Sequence, residues 1–262
     1  MLRNAYSPCP SLDTREFADV AAGPACSRAH SSHREPPCRI PVPASVGADV
    51  TIWQVPHPGD YSGSNAVNAL TSEDWAEIGA MREGATRRRA FGMRSFLREA
   101  LSASLGGAVK PGEWRFGRSM YGKPHVADGL LQIEFSISHT EHISLLAISR
   151  RRLGIDVEAR AVTGWREIAV DHFSRRERAM LNRAPAAARE EVFLRIWTAK
   201  EAYAKLLGVG LAFDVPANDC GPGTDLASWS TESLCGRVVV SLAIDQSVGG
   251  NETSYPRAPA KN

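Results

Sequence analysis

The 262-residue chain is long enough for one large domain or two small ones, and 43% hydrophobic with 23% charged residues is the composition of an ordinary globular protein with a sizeable core. A formal net charge of +2 excludes a whole-chain attraction to nucleic acid or membrane, and no apolar run is long enough to span a bilayer. The opening residues, MLRNAYSPCPSLDTREF, lack the apolar core of a secretion signal, so a cytoplasmic location is expected.

Residues 1–48 read as a disordered tail: Pro, Ser, Ala and Arg dominate and apolar periodicity is absent. Cys26, His30, His33 and Cys38 carry zinc-ligating side chains, but their spacing matches no common structural site. The other cysteines are Cys9, Cys220 and Cys235, and five without regular spacing argue for reduced thiols. Patterned sequence starts at ADVTIWQV, a strand over 48–55. Thr71 then opens a helix, TSEDWAEIGAM, with acidic residues in its first turn. A second helix is expected over 86–105, with Phe91, Phe96, Leu97 and Leu101 on its apolar side.

From Trp114 the pattern turns to strands. WRFGRSMYGKPHVA is a strand-and-turn region in which Pro124 forces Lys123 towards an extended conformation. IEFSISH alternates, with Ile133, Phe135, Ile137 and His139 on one face and Glu134, Ser136 and Ser138 on the other. ISLLAIS is more continuously apolar, hence buried on both faces, and GIDVE follows. Short connections predict an antiparallel meander. Ser174 and Glu177 form a capping box for a helix over 175–182. A long helix covers 190–207, ended by Gly208, and RVVVSLAI is a last strand before a disordered tail at 246–262. The order of elements suggests two α+β lobes, 49–150 and 151–245.

Two stretches carry candidate chemistry. In a strand GIDVE, Ile155 and Val157 share one face and Asp156 and Glu158 the other. The plain alternative is a solvated polar face. Two unit charges ~4 Å apart, however, repel by about 4 kcal/mol at an effective dielectric of about 20. A divalent cation reverses that sign, and oxygen ligands favour magnesium or manganese over zinc. In IWTAKEAYAKLLGVGL, Phe193, Trp197, Glu201 and Lys205 lie along one row of a helix. Either Glu201 and Lys205 are a surface pair, or Glu201 joins Asp156 and Glu158 around a metal. Ser138 and His139 point to opposite faces of their strand, so they are not a nucleophile–base pair. The runs Arg87–Arg88–Arg89 and Arg150–Arg151–Arg152 are solvated faces, unless one arginine of the first run turns inward to grip phosphate. GxxxxGK[ST], HExxH and GxSxG motifs are absent.

GIDVE followed by WTAKEAYAK, with YGKP and SISH upstream, resembles the signature of the 4′-phosphopantetheinyl transferases, in particular the larger type that activates surfactin synthetase. The similarity covers about residues 50–245, with Ser136 where asparagine is frequent. The resemblance implies a pseudo-dimer of two α+β lobes in a monomeric chain, with coenzyme A and magnesium (or manganese) between them. It implies Asp156, Glu158 and Glu201 as metal ligands and Lys200 and Lys205 near the phosphates. Lys123, Ser138 and His139 would contact coenzyme A, and Arg89 its 3′-phosphate. The implied reaction moves the 4′-phosphopantetheine arm of coenzyme A onto a serine of an apo carrier protein of fatty-acid, polyketide or nonribosomal-peptide biosynthesis. Glu201 is then the candidate base and Lys205 neutralises the leaving group. The rival readings are a metal-dependent phosphodiesterase and a non-catalytic module that binds coenzyme A or a carrier.

Overall fold

The computed structural model describes residues 37–56, 68–127, 131–159, 163–210, 219–220, 227–233 and 236–245. Cys9, Cys26, His30, His33, Cys235 and the tail after 245 lie outside these. In chain order the elements are β1 (Cys38–Arg39), β2 (Thr51–Pro56), α1 (Ser72–Gly79), α2 (Ala85–Ser104), β3 (Phe116–Arg118), β4 (Pro124–Val126), β5 (Glu134–His139), β6 (Ile143–Ser149), β7 (Leu153–Glu158), α3 (Trp165–His172), α4 (Arg175–Arg183), α5 (Arg189–Leu207), β8 (Ala227–Ser233) and β9 (Gly236–Ile244). The fold is α+β. No described helix is long and apolar enough to cross a membrane.

The chain forms two compact units that interleave in sequence. Among the described residues, one contains 37–41, 52–115 and 141–146, and the other contains 42–51, 116–140 and 147–245. This differs from a single cut at 150. The physical reason is β5, whose serines are bound to β7 and carry residues 116–140 into the second unit. Structure also begins inside the expected tail, since β1 pairs antiparallel with β2, Cys38 opposite Gln54 and Arg39 opposite Trp53.

In the first unit, Thr71 caps α1 in a capping box with Asp74. Asp74 is buried and holds two arginines of α2, with Arg94 Nη1 at 3.2 Å and Arg98 Nη2 at 2.6 Å. Arg98 also donates to the Pro111 and Trp114 carbonyls at 3.0 and 2.8 Å. One carboxylate therefore locks two helices and the chain beyond them. The apolar side of α2 buries Phe96, Leu97 and Leu101, and the Trp53 ring meets Phe96 edge-on at 5.6 Å.

In the second unit, β3 and β4 form an antiparallel hairpin, with Arg118 opposite Pro124. Strands β7, β9 and β8 form an antiparallel sheet in that order, Asp156 lying opposite Ser241. The expected meander therefore fails at β7, whose ladder partner is β9. Towards β5, its Ile155 and Val157 N–H groups donate to the Ser136 and Ser138 hydroxyls at 3.1 and 3.3 Å. Helix α5 lies on β7 and β9. Its apolar side joins Phe173, Leu181, Phe193, Ile196 and Val239 in one cluster, with Trp197 stacked on Phe193 at 6.2 Å. Thr198 Oγ1 meets Ser241 Oγ at 2.6 Å beneath the helix.

Candidate active site

The site is built where α5 crosses β7, and Gly154 sets the distance between them. A Cβ at Gly154 would fall on the carbonyl oxygen of Ala202 and the backbone nitrogen of Leu206, so no other residue type allows the helix this close. The alternation of β7 buries Ile155 and Val157 in the core and sets Asp156 and Glu158 on the other face. The close crossing brings the last turns of α5 to that face, so Lys205 Nζ is 2.7 Å from Asp156 Oδ1.

Asp156 is only 5% exposed. Its Oδ1 accepts from Lys205 and from the Ser138 hydroxyl, each at 2.7 Å, whereas Oδ2 is buried without a hydrogen-bond partner. Glu158 and Glu201 stand close enough to feel this charge. Burial first, then Asp156, raises the Glu201 carboxyl to about 7, with Lys205 opposing. Burial first also raises Glu158 to about 7, with Asp156 and Glu201 adding to it and Lys205 opposing. Among the described residues, no group of three or more His, Cys, Asp and Glu is gathered closely enough to hold a metal ion. The donor type nonetheless suits a hard cation: an orphaned, buried carboxylate oxygen, with Glu158 and Glu201 near enough to feel its charge.

Lys123 reaches the same region from the β3–β4 hairpin. Ser119 anchors that turn to the end of α5, donating from Oγ to the Gly208 carbonyl at 3.3 Å, and accepts from the Lys123 N–H at 3.1 Å. Lys123 Nζ donates to the Leu153 carbonyl at 3.0 Å. Burial lowers this ammonium to about 8, helped by the charges of Arg152 and Lys205 and opposed by Glu134. His139 is exposed at the end of β5. Arg89 belongs to the first unit; it is half-buried, desolvation lowers its pKa, and its Nε is buried without a partner.

Two expected residues are engaged elsewhere. Ser138 is buried, and its hydroxyl both donates to Asp156 and accepts from the Val157 N–H, which makes it a support for the carboxylate. Lys200 points away from the carboxylates, with Nζ 2.9 Å from Glu177 Oε2 and both side chains 1% exposed. An ammonium enclosed in this way does not face a solvent-borne phosphate. Of the second arginine run, Arg151 is bound to Asp49 at 2.6 Å and Arg152 donates to the Leu206 carbonyl at 3.3 Å, so both are structural ties. The role of Gly154 was missed from sequence, although a glycine inside a strand pattern is a known sign of close backbone approach.

The buried Asp156, the half-buried Glu158 and Glu201 and the lysine Lys205 are thus gathered on one α+β scaffold. A sequence model described as the 4′-phosphopantetheinyl transferase superfamily matches residues 152–235. The 4′-phosphopantetheinyl transferase HetI of Nostoc sp. is 32% identical over 169 residues, which cover 63% of this chain and 70% of HetI. The 4′-phosphopantetheinyl transferase AcpT of Salmonella typhi is 30% identical over 165 residues, covering 56% of this chain and 83% of AcpT. A 4′-phosphopantetheinyl transferase of Bacillus subtilis is 30% identical over 116 residues, covering 44% of this chain and 50% of that protein. The chain belongs to the 4′-phosphopantetheinyl transferase superfamily. Its activity class is accordingly the transfer of a phosphopantetheine group to carrier proteins.

Proposed function

We propose that the chain takes the 4′-phosphopantetheine arm from coenzyme A and attaches it to a serine of an apo acyl- or peptidyl-carrier protein, releasing adenosine 3′,5′-bisphosphate. The observation that carries this reading is the state of Asp156: fixed by Ser138 and Lys205 through one oxygen and orphaned at the other, within the segment that matches the superfamily.

Asp156, Glu158 and Glu201 are the residues that would hold magnesium, with manganese as a substitute. A bound cation of this kind neutralises charge on the pyrophosphate oxygens of the substrate. Around it the side chains of the chain have separate tasks. Lys205, on the row of α5 that also carries Glu201, places a positive charge beside Asp156 for the negative charge that builds up on the leaving bisphosphate. Glu201 accepts the proton of the carrier serine, directly or through water. Lys123, on its anchored turn, and the exposed His139 bind coenzyme A. Lys200 is left out of the phosphate contacts because its ammonium is enclosed with Glu177. The chain is expected to act as a monomer in the cytoplasm.

Incubation of the full chain with coenzyme A, Mg²⁺ and a panel of apo carriers, read by intact mass, tests this. The expected result is a mass gain of one phosphopantetheine on at least one carrier. Cleaved phosphodiester without an adduct would instead support the phosphodiesterase reading.

A further inference from the structure

We propose that the buried Glu177–Lys200 ion pair positions Glu201 by fixing the rotation of α5 about its axis. The proposal rests on the reading of Glu201 as part of the transfer site. The Glu177 carboxylate is held by backbone before Lys200 is considered. Oε2 accepts from the Ser174 N–H at 2.8 Å, and Oε1 accepts from the Cys220 N–H at 2.7 Å. The Ser174 hydroxyl in turn accepts from the Glu177 N–H at 3.1 Å, completing the capping box of α4. Glu177 is therefore a rigid acceptor at the start of α4, and the ammonium of Lys200 completes it at 2.9 Å.

Lys200 and Glu201 are consecutive in α5, so they leave the helix about 100° apart. Holding Lys200 against α4 sends Glu201 to another side of the helix, along the row that ends with Lys205 on Asp156. Gly154 sets how closely α5 approaches β7 at Ala202, but a glycine contact has no side chain with which to resist rotation. The Thr198–Ser241 contact at 2.6 Å, one turn before Ala202, and the Glu177–Lys200 pair supply that resistance. A buried ion pair adds little net stability over an apolar pair of like shape, yet its geometry is demanding, which suits a positioning role.

The test compares Glu177→Gln, Lys200→Met and the double variant in the full chain, with kcat and KM for coenzyme A measured on a carrier that the wild type modifies. Each single change leaves an unmatched buried group, and kcat is expected to fall roughly tenfold or more through misplacement of Glu201, with KM for coenzyme A unchanged. The double variant removes both charges and is expected to regain most of kcat. A rise in KM for coenzyme A in Lys200→Met that persists in the double variant would overturn the proposal, because Lys200 would then touch the substrate. A double variant no better than the worse single would also overturn it. Should the singles fail to fold by circular dichroism, the double decides alone: unchanged KM with most of kcat supports the proposal, and raised KM refutes it. Should the wild type modify no carrier, the functional reading fails, and amide exchange over 198–205 judges the pair. Faster exchange in Glu177→Gln that returns to wild type in the double supports it, and unchanged exchange refutes it.

Discussion

Lys205 holds Asp156 by one oxygen, Nζ to Oδ1 at 2.7 Å, and leaves the other oxygen buried and unpartnered. An isolated salt bridge of this kind would be a poor arrangement, because desolvation of the free oxygen is not offset. Under the proposed function it is half of a site whose other half arrives with the substrate. Asn in place of Asp156 keeps the shape and removes the charge. Asp156→Asn is expected to lower kcat by about a hundredfold or more while thermal unfolding by circular dichroism stays close to wild type. Near-wild-type transfer would remove Asp156 from the site.

The cation follows the same logic. Transfer is expected to stop in EDTA and to return when Mg²⁺ is added in excess, with Mn²⁺ as a partial or full substitute. The readout is the mass of the carrier. Undiminished transfer in chelator would mean that Lys205 and Lys123 neutralise the pyrophosphate unaided.

Gly154 carries a structural prediction separate from chemistry. A methyl group there meets the α5 backbone at Ala202 and Leu206, and backbone yields less readily than a side chain. Gly154→Ala is expected to cost about 1–3 kcal/mol in urea unfolding, the ordinary range for overpacking, and to lower transfer further by moving Glu201 and Lys205. An unchanged midpoint would show that α5 is free to shift.

Glu99, in α2 of the first unit, predicts a pH dependence of stability. Burial pushes its carboxyl up to about 7, above the model-compound value of 4.5. The folded state thus binds the proton more tightly than the unfolded one. This contribution is complete below about pH 4.5 and is lost as pH rises through about 7. Glu99→Gln cannot ionise and should be more stable than wild type at pH 8 by on the order of 1–3 kcal/mol, with the gap closing towards pH 5. Denaturant unfolding across that range measures it, and a gap independent of pH would mean that Glu99 ionises freely in the folded chain.

Much of the local geometry around Asp156 was legible in the sequence because its signals are local. The two-residue period of GIDVE separates Asp156 and Glu158 from Ile155 and Val157, and the four-residue row of α5 places Glu201 and Lys205 beyond Phe193 and Trp197. Capping residues gave the starts of α1 and α4. Other elements lacked such signals. The strand β8, ASWSTES, has no apolar alternation and is recruited by β9, and α3 is an eight-residue helix that starts at Gly164 with no capping side chain. The alternation of β5 set Ser136 and Ser138 apart from its apolar face, yet both are buried because β7 lies against them, and nothing local to either strand specifies that neighbour. The direction of Lys200 was unreadable for the same reason, as its partner Glu177 sits on a different helix.

The most direct test of the central claim is intact-mass analysis of an apo carrier after incubation with coenzyme A and Mg²⁺, using wild type and Glu201→Gln side by side. The expected result is full conversion by the wild type and an unmodified carrier with a folded Glu201→Gln variant. Equal conversion by both would contradict a transfer site built on Asp156, Glu158 and Glu201.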